Sequence, residues 1–127
     1  MIRGIGLDVC QISRMEETMT RARFLARFFS EEEQAYVAGR GKLAASSAAG
    51  IYAAKEAFVK ALGTGFTDTE LSDIAVVHDS FGAPRYDLRG KARDNASKRG
   101  VTALFLSITH DGDIAAAVCV LEGEAIG

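Results

Sequence analysis

Three residues in this chain have the types that phosphate chemistry uses: Asp8, Glu56 and Lys60. Glu56 and Lys60 lie one helical turn apart in the run Gly50-Ile51-Tyr52-Ala53-Ala54-Lys55-Glu56-Ala57-Phe58-Val59-Lys60-Ala61-Leu62. With helical spacing, Ile51, Ala54, Phe58, Ala61 and Leu62 form one apolar stripe and leave Glu56 and Lys60 together on the other side. A Glu–Lys pair on a solvated helix face contributes a few tenths of a kcal/mol, and the pair alone does not separate that role from chemistry. Its flank does more, because Tyr52, Ala53, Val59 and Gly63 crowd the same side and predict a partly enclosed carboxylate. An enclosed carboxylate needs a cation. Asp8 closes a stretch of alternating apolar and small residues, 2–9, that reads as a buried strand. An Asp there either accepts backbone N–H groups from the following turn or joins Glu56 as an oxygen ligand. Magnesium often takes only one or two protein carboxylates and fills its shell with waters and substrate phosphates, so two suffice.

Other residues say less. His110, beside Thr109 and Asp111, falls at a hairpin tip where histidine is commonly a solvated turn residue, and His78 reads as structural. Cys10 and Cys119 sit in apolar segments as packing residues, neither a disulfide framework nor a four-ligand zinc site. There is no Walker loop, dinucleotide fingerprint, serine nucleophile elbow or Cys/His metal spacing, which removes many enzyme classes.

The elements that must position these residues follow from caps and periodicity. Ser13-Arg14-Met15-Glu16 has capping-box spacing and predicts a helix to about residue 28. Ser30-Glu31-Glu32-Glu33 repeats the signal for a second helix ending at Gly39 or Gly41. A Ser/Ala-rich stretch, 44–49, leads into the helix of residues 50–62, which stops at Gly63-Thr64-Gly65. Residues 74–78 and 85–88 read as strands around an Asp79-Ser80-Phe81-Gly82 turn, and 89–99 as a polar helix. Residues 104–109 and 114–121 form a hairpin around His110-Asp111-Gly112-Asp113. Helices and strands mix without regular βαβ alternation, which predicts an α+β domain over residues 1–127 with a small, largely antiparallel sheet.

With 127 residues, 48% hydrophobic and 25% charged, the chain is an ordinary globular domain with a small core, for which oligomerisation would bury more surface. A net charge of −2 provides no global field for nucleic acid or an anionic membrane. No apolar run approaches the ~20 residues that span a bilayer, so the expectation is a cytoplasmic protein with no membrane or nucleic-acid partner.

The choice of function comes from resemblance. Gly4-Ile5-Gly6-Leu7-Asp8-Val9 with Ile12 and Arg14 resembles the N-terminal signature of the holo-acyl-carrier-protein synthases. Tyr52-Ala53-Ala54-Lys55-Glu56-Ala57 with Lys60 and Gly63-Thr64-Gly65 is similar to that family's aromatic-x-x-Lys-Glu-Ala-x-x-Lys block and its loop. Gly82-Ala83-Pro84-Arg85 resembles its Gly-Lys-Pro turn, and Ser107-Ile108-Thr109-His110 with Ala115-Ala116-Ala117 its C-terminal hairpin. Four ordered blocks cover nearly the whole chain. Two positions depart: Ala83 stands where many members carry Lys, and Ile51 where many carry Arg, and each removes a possible phosphate cation.

The resemblance implies the 4′-phosphopantetheinyl transferase fold and a homotrimer with active sites at its interfaces. It implies transfer of phosphopantetheine from coenzyme A to a serine of apo acyl carrier protein, releasing adenosine 3′,5′-bisphosphate, in fatty acid biosynthesis. Asp8 and Glu56 would hold Mg²⁺ and Lys60 would stabilise or protonate the leaving phosphate, these three being the catalytic residues. The base is either Glu56 or a water on the metal. Gly63, Thr64 and Gly65 would approach coenzyme A, with Pro84, Arg85, Thr109 and His110 supplied by a neighbouring subunit. The acidic carrier would dock on the first helix, where Arg14, Arg21, Arg23 and Arg27 against Glu16 and Glu17 leave a local charge of +2, with Met15 and Phe24 adding apolar contacts. The same two carboxylates and lysine would also serve a metal-dependent phosphohydrolase, and a carrier-binding subunit without turnover is the non-catalytic alternative.

Overall fold

A computed structural model describes residues 1–63 and 69–124. Strand β1 (Ile2–Gln11) is followed by helices α1 (Ile12–Thr18), α2 (Phe24–Phe28), α3 (Glu31–Ala38) and α4 (Ala44–Leu62). Then come β2 (Ile74–His78), β3 (Pro84–Leu88), α5 (Gly90–Lys98), β4 (Val101–Asp111) and β5 (Ile114–Gly123). β1, β5 and β4 form an antiparallel sheet in that order, and β2 with β3 forms a separate antiparallel pair. This is the α+β class with antiparallel sheets that the element order predicts.

The larger sheet is built around α4. Strand alternation sends Gly4, Gly6 and Asp8 of β1 to one face, in register with Leu121, Cys119 and Ala117 of β5. Leu104, Leu106 and Ile108 of β4 continue those rows. α4 lies on that face with Ile51, Ala54, Phe58, Ala61 and Leu62 all buried, the stripe its helical period predicts. Each large apolar side chain so enclosed contributes roughly 1.5–3 kcal/mol. The approach of helix to strand is closer than ordinary packing allows, because a Cβ on Gly6 would overlap the Ala57 carbonyl oxygen and one on Gly4 that of Ala61. Glycine at these two positions lets α4 sit on the backbone of β1.

α4 begins at Ala44, so the Ser/Ala-rich stretch is its first turns, and it ends at Gly63 with φ +80°. The second capping box forms: the Ser30 hydroxyl accepts from the Glu33 N–H, and the Glu33 carboxylate accepts from the Ser30 N–H at 2.8 Å. Glu33 goes further than a cap. Fully buried, it pairs at 2.7 Å with Lys55 and accepts from the Val76 N–H at 2.8 Å. Lys55 also donates to the Leu71 and Ile74 carbonyl oxygens, each at 2.8 Å. One ion pair thereby ties α3, α4 and β2 together, and its polar atoms are satisfied as burial requires.

Three expectations need correction. The single helix predicted to residue 28 is two helices, interrupted at Arg23, whose φ of +70° is left-handed. The first capping box does not form. Ser13 is drawn instead to Asp113 at the far hairpin, its hydroxyl donating at 2.6 Å and its N–H at 2.9 Å, so a long-range bond wins over the local cap. β1 and β4 also run past their predicted ends, because β5 offers partners as far as Gln11 and Asp111. Asp8 is therefore inside a strand, and His110 is the penultimate residue of β4 instead of a turn residue.

Candidate active site

The close seating of α4 on β1 brings the three candidate residues together. Lys60 donates to an Asp8 carboxylate oxygen at 2.8 Å and to the Leu7 carbonyl oxygen at 3.2 Å. Asp8 is largely enclosed, with 12% of its side chain exposed, while Lys60 is 56% exposed and faces solvent. Glu56 stands beside Asp8 and the Tyr52 hydroxyl, close enough for both to act on its carboxyl. The influence of the Tyr52 hydroxyl on Glu56 is absent from the expectations above. Its signal in the sequence is the four-residue spacing from Tyr52 to Glu56, one turn of the same helix.

The electrostatics of the cluster are those of a place short of positive charge. Burial, and next the Asp8 carboxylate, push the Glu56 carboxyl above its ordinary range. Burial and Glu56 push the Tyr52 hydroxyl up to about 12. Burial, then Asp8 and Glu56, push the Cys10 thiol up to about 11, which keeps it a thiol. The Lys60 ammonium, raised by its hydrogen bond to Asp8, is the one direct cation partner of the pair among the described residues. Two adjacent carboxylates, with oxygen donors only, suit a hard divalent cation that brings its remaining ligands as water and phosphate. No described group of three or more His, Cys, Asp or Glu side chains could hold a metal, so any ion here rests on this pair.

The remaining candidates fall in three places. Gly63 caps α4 and is exposed, and Thr64 and Gly65 lie outside the described residues. Pro84 and His110 line a 270 Å³ cavity with Tyr36, Arg40, Ser47, Gly50, Ile51 and His78. His110 Nε2 lies 3.1 Å from the Ser46 carbonyl oxygen, a contact that calls for a proton on that nitrogen. A Cβ at position 50 would press on Ile108 and on His110, so glycine there admits the histidine against α4. Arg85 and Thr109 are exposed and point to the opposite faces of their strands, away from this cavity. The cavity is also away from the carboxylates. Glu56 is six residues past Gly50, roughly 9 Å along the helix axis. β1 and β4 flank β5, and Asp8 lies in the row of Ile108 with His110 two residues further along, so Asp8 and His110 are more than two strand spacings, roughly 10 Å, apart.

The basic surface is continuous with the carboxylate cluster. Arg21, Arg23, Phe24, Arg27 and Phe28 line a shallow groove of 760 Å³. Arg27 and Phe28 also line a second hollow with Tyr52, whose hydroxyl stands beside Glu56. Phe24 packs tilted against Phe28 and Tyr52, with ring centres 5.2 and 5.9 Å apart. Arg14 is exposed on α1, whereas Met15 is 3% exposed and packs in the core, a correction to its expected place in docking. The α1 period turns Met15 inward beneath Arg14.

Residues 4–119 match the model of the 4′-phosphopantetheinyl transferase superfamily. A holo-[acyl-carrier-protein] synthase of Treponema denticola is 45% identical over 123 residues, covering 97% of this chain and all of that protein. The solved holo-[acyl-carrier-protein] synthase of Neisseria meningitidis superposes with a TM-score of 0.87 at 30% identity, covering 96% of this chain and 99% of that one. The Bacillus anthracis synthase, solved in complex with CoA (3′,5′-ADP), superposes with a TM-score of 0.82 at 32% identity, over 98% and 99% of the two chains. The chain belongs to the 4′-phosphopantetheinyl transferase superfamily and, within it, to the holo-[acyl-carrier-protein] synthases. It is an enzyme of that transferase class.

Proposed function

We propose that this enzyme moves 4′-phosphopantetheine from coenzyme A to a serine of an apo acyl carrier protein, releasing adenosine 3′,5′-bisphosphate. The observation that carries this reading is the Asp8–Glu56–Lys60 cluster, two coupled carboxylates and a solvent-facing ammonium held by the contact of α4 with β1. Asp8 and Glu56 are the residues that would hold Mg²⁺. The ion, when bound, neutralises phosphate charge and orients the pyrophosphate. Lys60 stands with its ammonium toward solvent, placed to stabilise or protonate the departing phosphate oxygen. Glu56, partly enclosed and with its proton affinity raised, is placed to receive a hydroxyl proton, with the Tyr52 hydroxyl as its neighbour.

The assembly we propose is a homotrimer. Ile5, Leu7 and Val9 of β1 and Phe105 of β4 are each more than half exposed, all on the sheet face away from α4. An apolar sheet face of this kind marks an interaction surface. Packing copies over it would bury this face, and in the same proposal the exposed Arg85 and Thr109 of a neighbouring subunit complete the coenzyme A site. No described helix is long and apolar enough to cross a membrane. A role in fatty acid biosynthesis in the cytoplasm follows from the carrier as substrate.

Mass spectrometry of an apo acyl carrier protein incubated with the enzyme, coenzyme A and Mg²⁺ tests the reading. The carrier should gain the mass of one phosphopantetheine, with adenosine 3′,5′-bisphosphate as co-product. Cleavage of coenzyme A without carrier modification would instead make the enzyme a phosphohydrolase.

A further inference from the structure

α1 carries Arg14, and nothing in its own sequence holds its first turn. Its N-cap residue, Gln11, makes no side-chain cap bond, and its first turn contains no acidic residue. The helix has seven residues, fewer than the roughly 12–15 at which an isolated helix begins to persist in water. Arg14 worsens its position, because a cation in the first turn opposes the helix dipole. The unpaired N–H groups of that turn are met from the far end of the chain. The Ile12 N–H donates to the Asp113 carbonyl oxygen at 2.8 Å, and the Ser13 N–H to Asp113 Oδ1 at 2.9 Å. The Ser13 hydroxyl donates to Asp113 Oδ2 at 2.6 Å, so both carboxylate oxygens are engaged by one residue. Arg14 makes no ion pair among the described residues and keeps its charge for a partner. Asp113 is itself firmly mounted. It stands in the two-residue turn between Asp111 and Ile114, which pair across β4 and β5, and Gly112 at φ +58° lets that turn close.

We infer that Asp113 is a positioning residue for the carrier: its grip on Ser13 holds the first turn of α1 so that Arg14 meets an acidic carrier protein at a fixed place. The assignment rests on the transferase reading above and on α1 as the helix where the carrier docks. Met15, buried beneath α1, sets how deeply the helix sits, and Asp113 sets where its first turn stands. That turn follows directly on β1, the strand of Asp8, so its place fixes the docked carrier relative to the reacting groups. Stability alone does not account for the bond. Ser13 and Asp113 are both exposed, and removing the carboxylate leaves no buried polar group without a partner. The core is untouched by the change, and the loss falls on the order of α1. The Ile12 bond survives it as well, because its acceptor is the backbone.

Steady-state kinetics of carrier modification in the wild type, D113A, D113N, R14A and the double variant D113A/R14A test the assignment, with coenzyme A affinity measured by calorimetry. Asparagine offers an amide oxygen to the Ser13 N–H and an amide N–H to the Ser13 hydroxyl, so D113N keeps the grip without the charge. D113A should raise the carrier KM about threefold or more, the scale of a lost helix cap, with kcat and coenzyme A affinity within about twofold of wild type. D113N should stay close to wild type in all three. The double variant should be less impaired than the product of the two single effects, because an Arg14 already displaced has less to lose. A smaller rise in D113A, an equal loss for carrier and coenzyme A, a D113N as impaired as D113A, or effects that multiply in the double variant would overturn the assignment. If R14A raises the carrier KM and D113A does not, only the role of Asp113 fails. An R14A without effect removes docking through Arg14 and the assignment with it, and a wild type that leaves the carrier unmodified removes the transferase reading too.

Discussion

Two carboxylates that share an enclosed position repel, and Asp8 and Glu56 are left in that condition with Lys60 paired to Asp8 and not to Glu56. The consequence for stability has a definite sign. The proton affinity of Glu56 is raised on folding, so its stabilising contribution is complete below the pKa of an unfolded glutamate and is lost as pH rises through the higher folded value. Without divalent metal, Glu56→Gln should therefore melt above the wild type at pH 7, and the difference should shrink on acidification toward pH 4. Adding Mg²⁺ should raise the wild-type melting temperature and leave that of Glu56→Gln nearly unchanged. Equal Mg²⁺ responses in the two proteins would argue against a metal on this pair. Asp8→Ala and Glu56→Ala should each lower carrier modification by at least about a hundredfold in proteins that remain folded by circular dichroism.

At the scale of elements, the site depends on how closely α4 approaches β1. Gly6→Ala sets a methyl against the Ala57 carbonyl oxygen, and since helix and strand backbones both must shift, the cost should be about 1–3 kcal/mol in denaturant unfolding. Activity should fall further than stability, because the same shift carries Lys60 away from Asp8. Glu33→Ala should cost more, about 3–5 kcal/mol, since it leaves the Lys55 ammonium buried without its partner. The sequence carried part of this. The α4 stripe and the Ser30–Glu33 box are local periodicities, so both were legible, as were the pairing of β2 with β3 and of β4 with β5. What escaped was long range. Ser13 bonds to a residue one hundred positions away, Lys55 of α4 finds Glu33 of α3 22 positions away, and the break at Arg23 rests on a left-handed backbone that no glycine announced. Met15 was placed on the docking face because its block was read without the helix phase that turns it inward. Arg40 and Tyr36 had no signal in spacing, since their cavity draws on α3, α4, β2 and β4 together.

The whole molecule presents two surfaces of opposite character, the apolar face of the β1–β5–β4 sheet and the basic groove of α2 and the segment before it. If the sheet face is the subunit interface, an ionised side chain in its middle must be desolvated on association. Leu7→Glu should then shift light scattering from trimer to monomer and remove activity at assay concentrations, while the monomer keeps its circular dichroism spectrum. A trimer with normal turnover in Leu7→Glu would place the interface elsewhere.

The basic groove makes a different demand, because a protein of net charge −2 attracts an acidic carrier only through a local cluster. Arg14 and Arg21 are exposed and make no ion pair among the described residues, and the groove leads past Arg27 and Phe28 to Tyr52 beside Glu56. A carrier docked there would have its serine delivered to the cluster along one continuous surface. Steering charges act chiefly on association and are screened over about 8–10 Å at physiological salt, so the carrier KM should rise with ionic strength. Coenzyme A is also highly charged, and salt alone does not separate the two substrates. Charge reversal does. Arg14→Glu or Arg21→Glu should raise the carrier KM about tenfold or more and flatten its salt dependence, while coenzyme A affinity by calorimetry stays close to wild type, because neither residue lines the Pro84–His110 cavity or touches the carboxylates. Unchanged carrier kinetics in both reversals would make the groove a solvated face and require the carrier to reach Glu56 from another side.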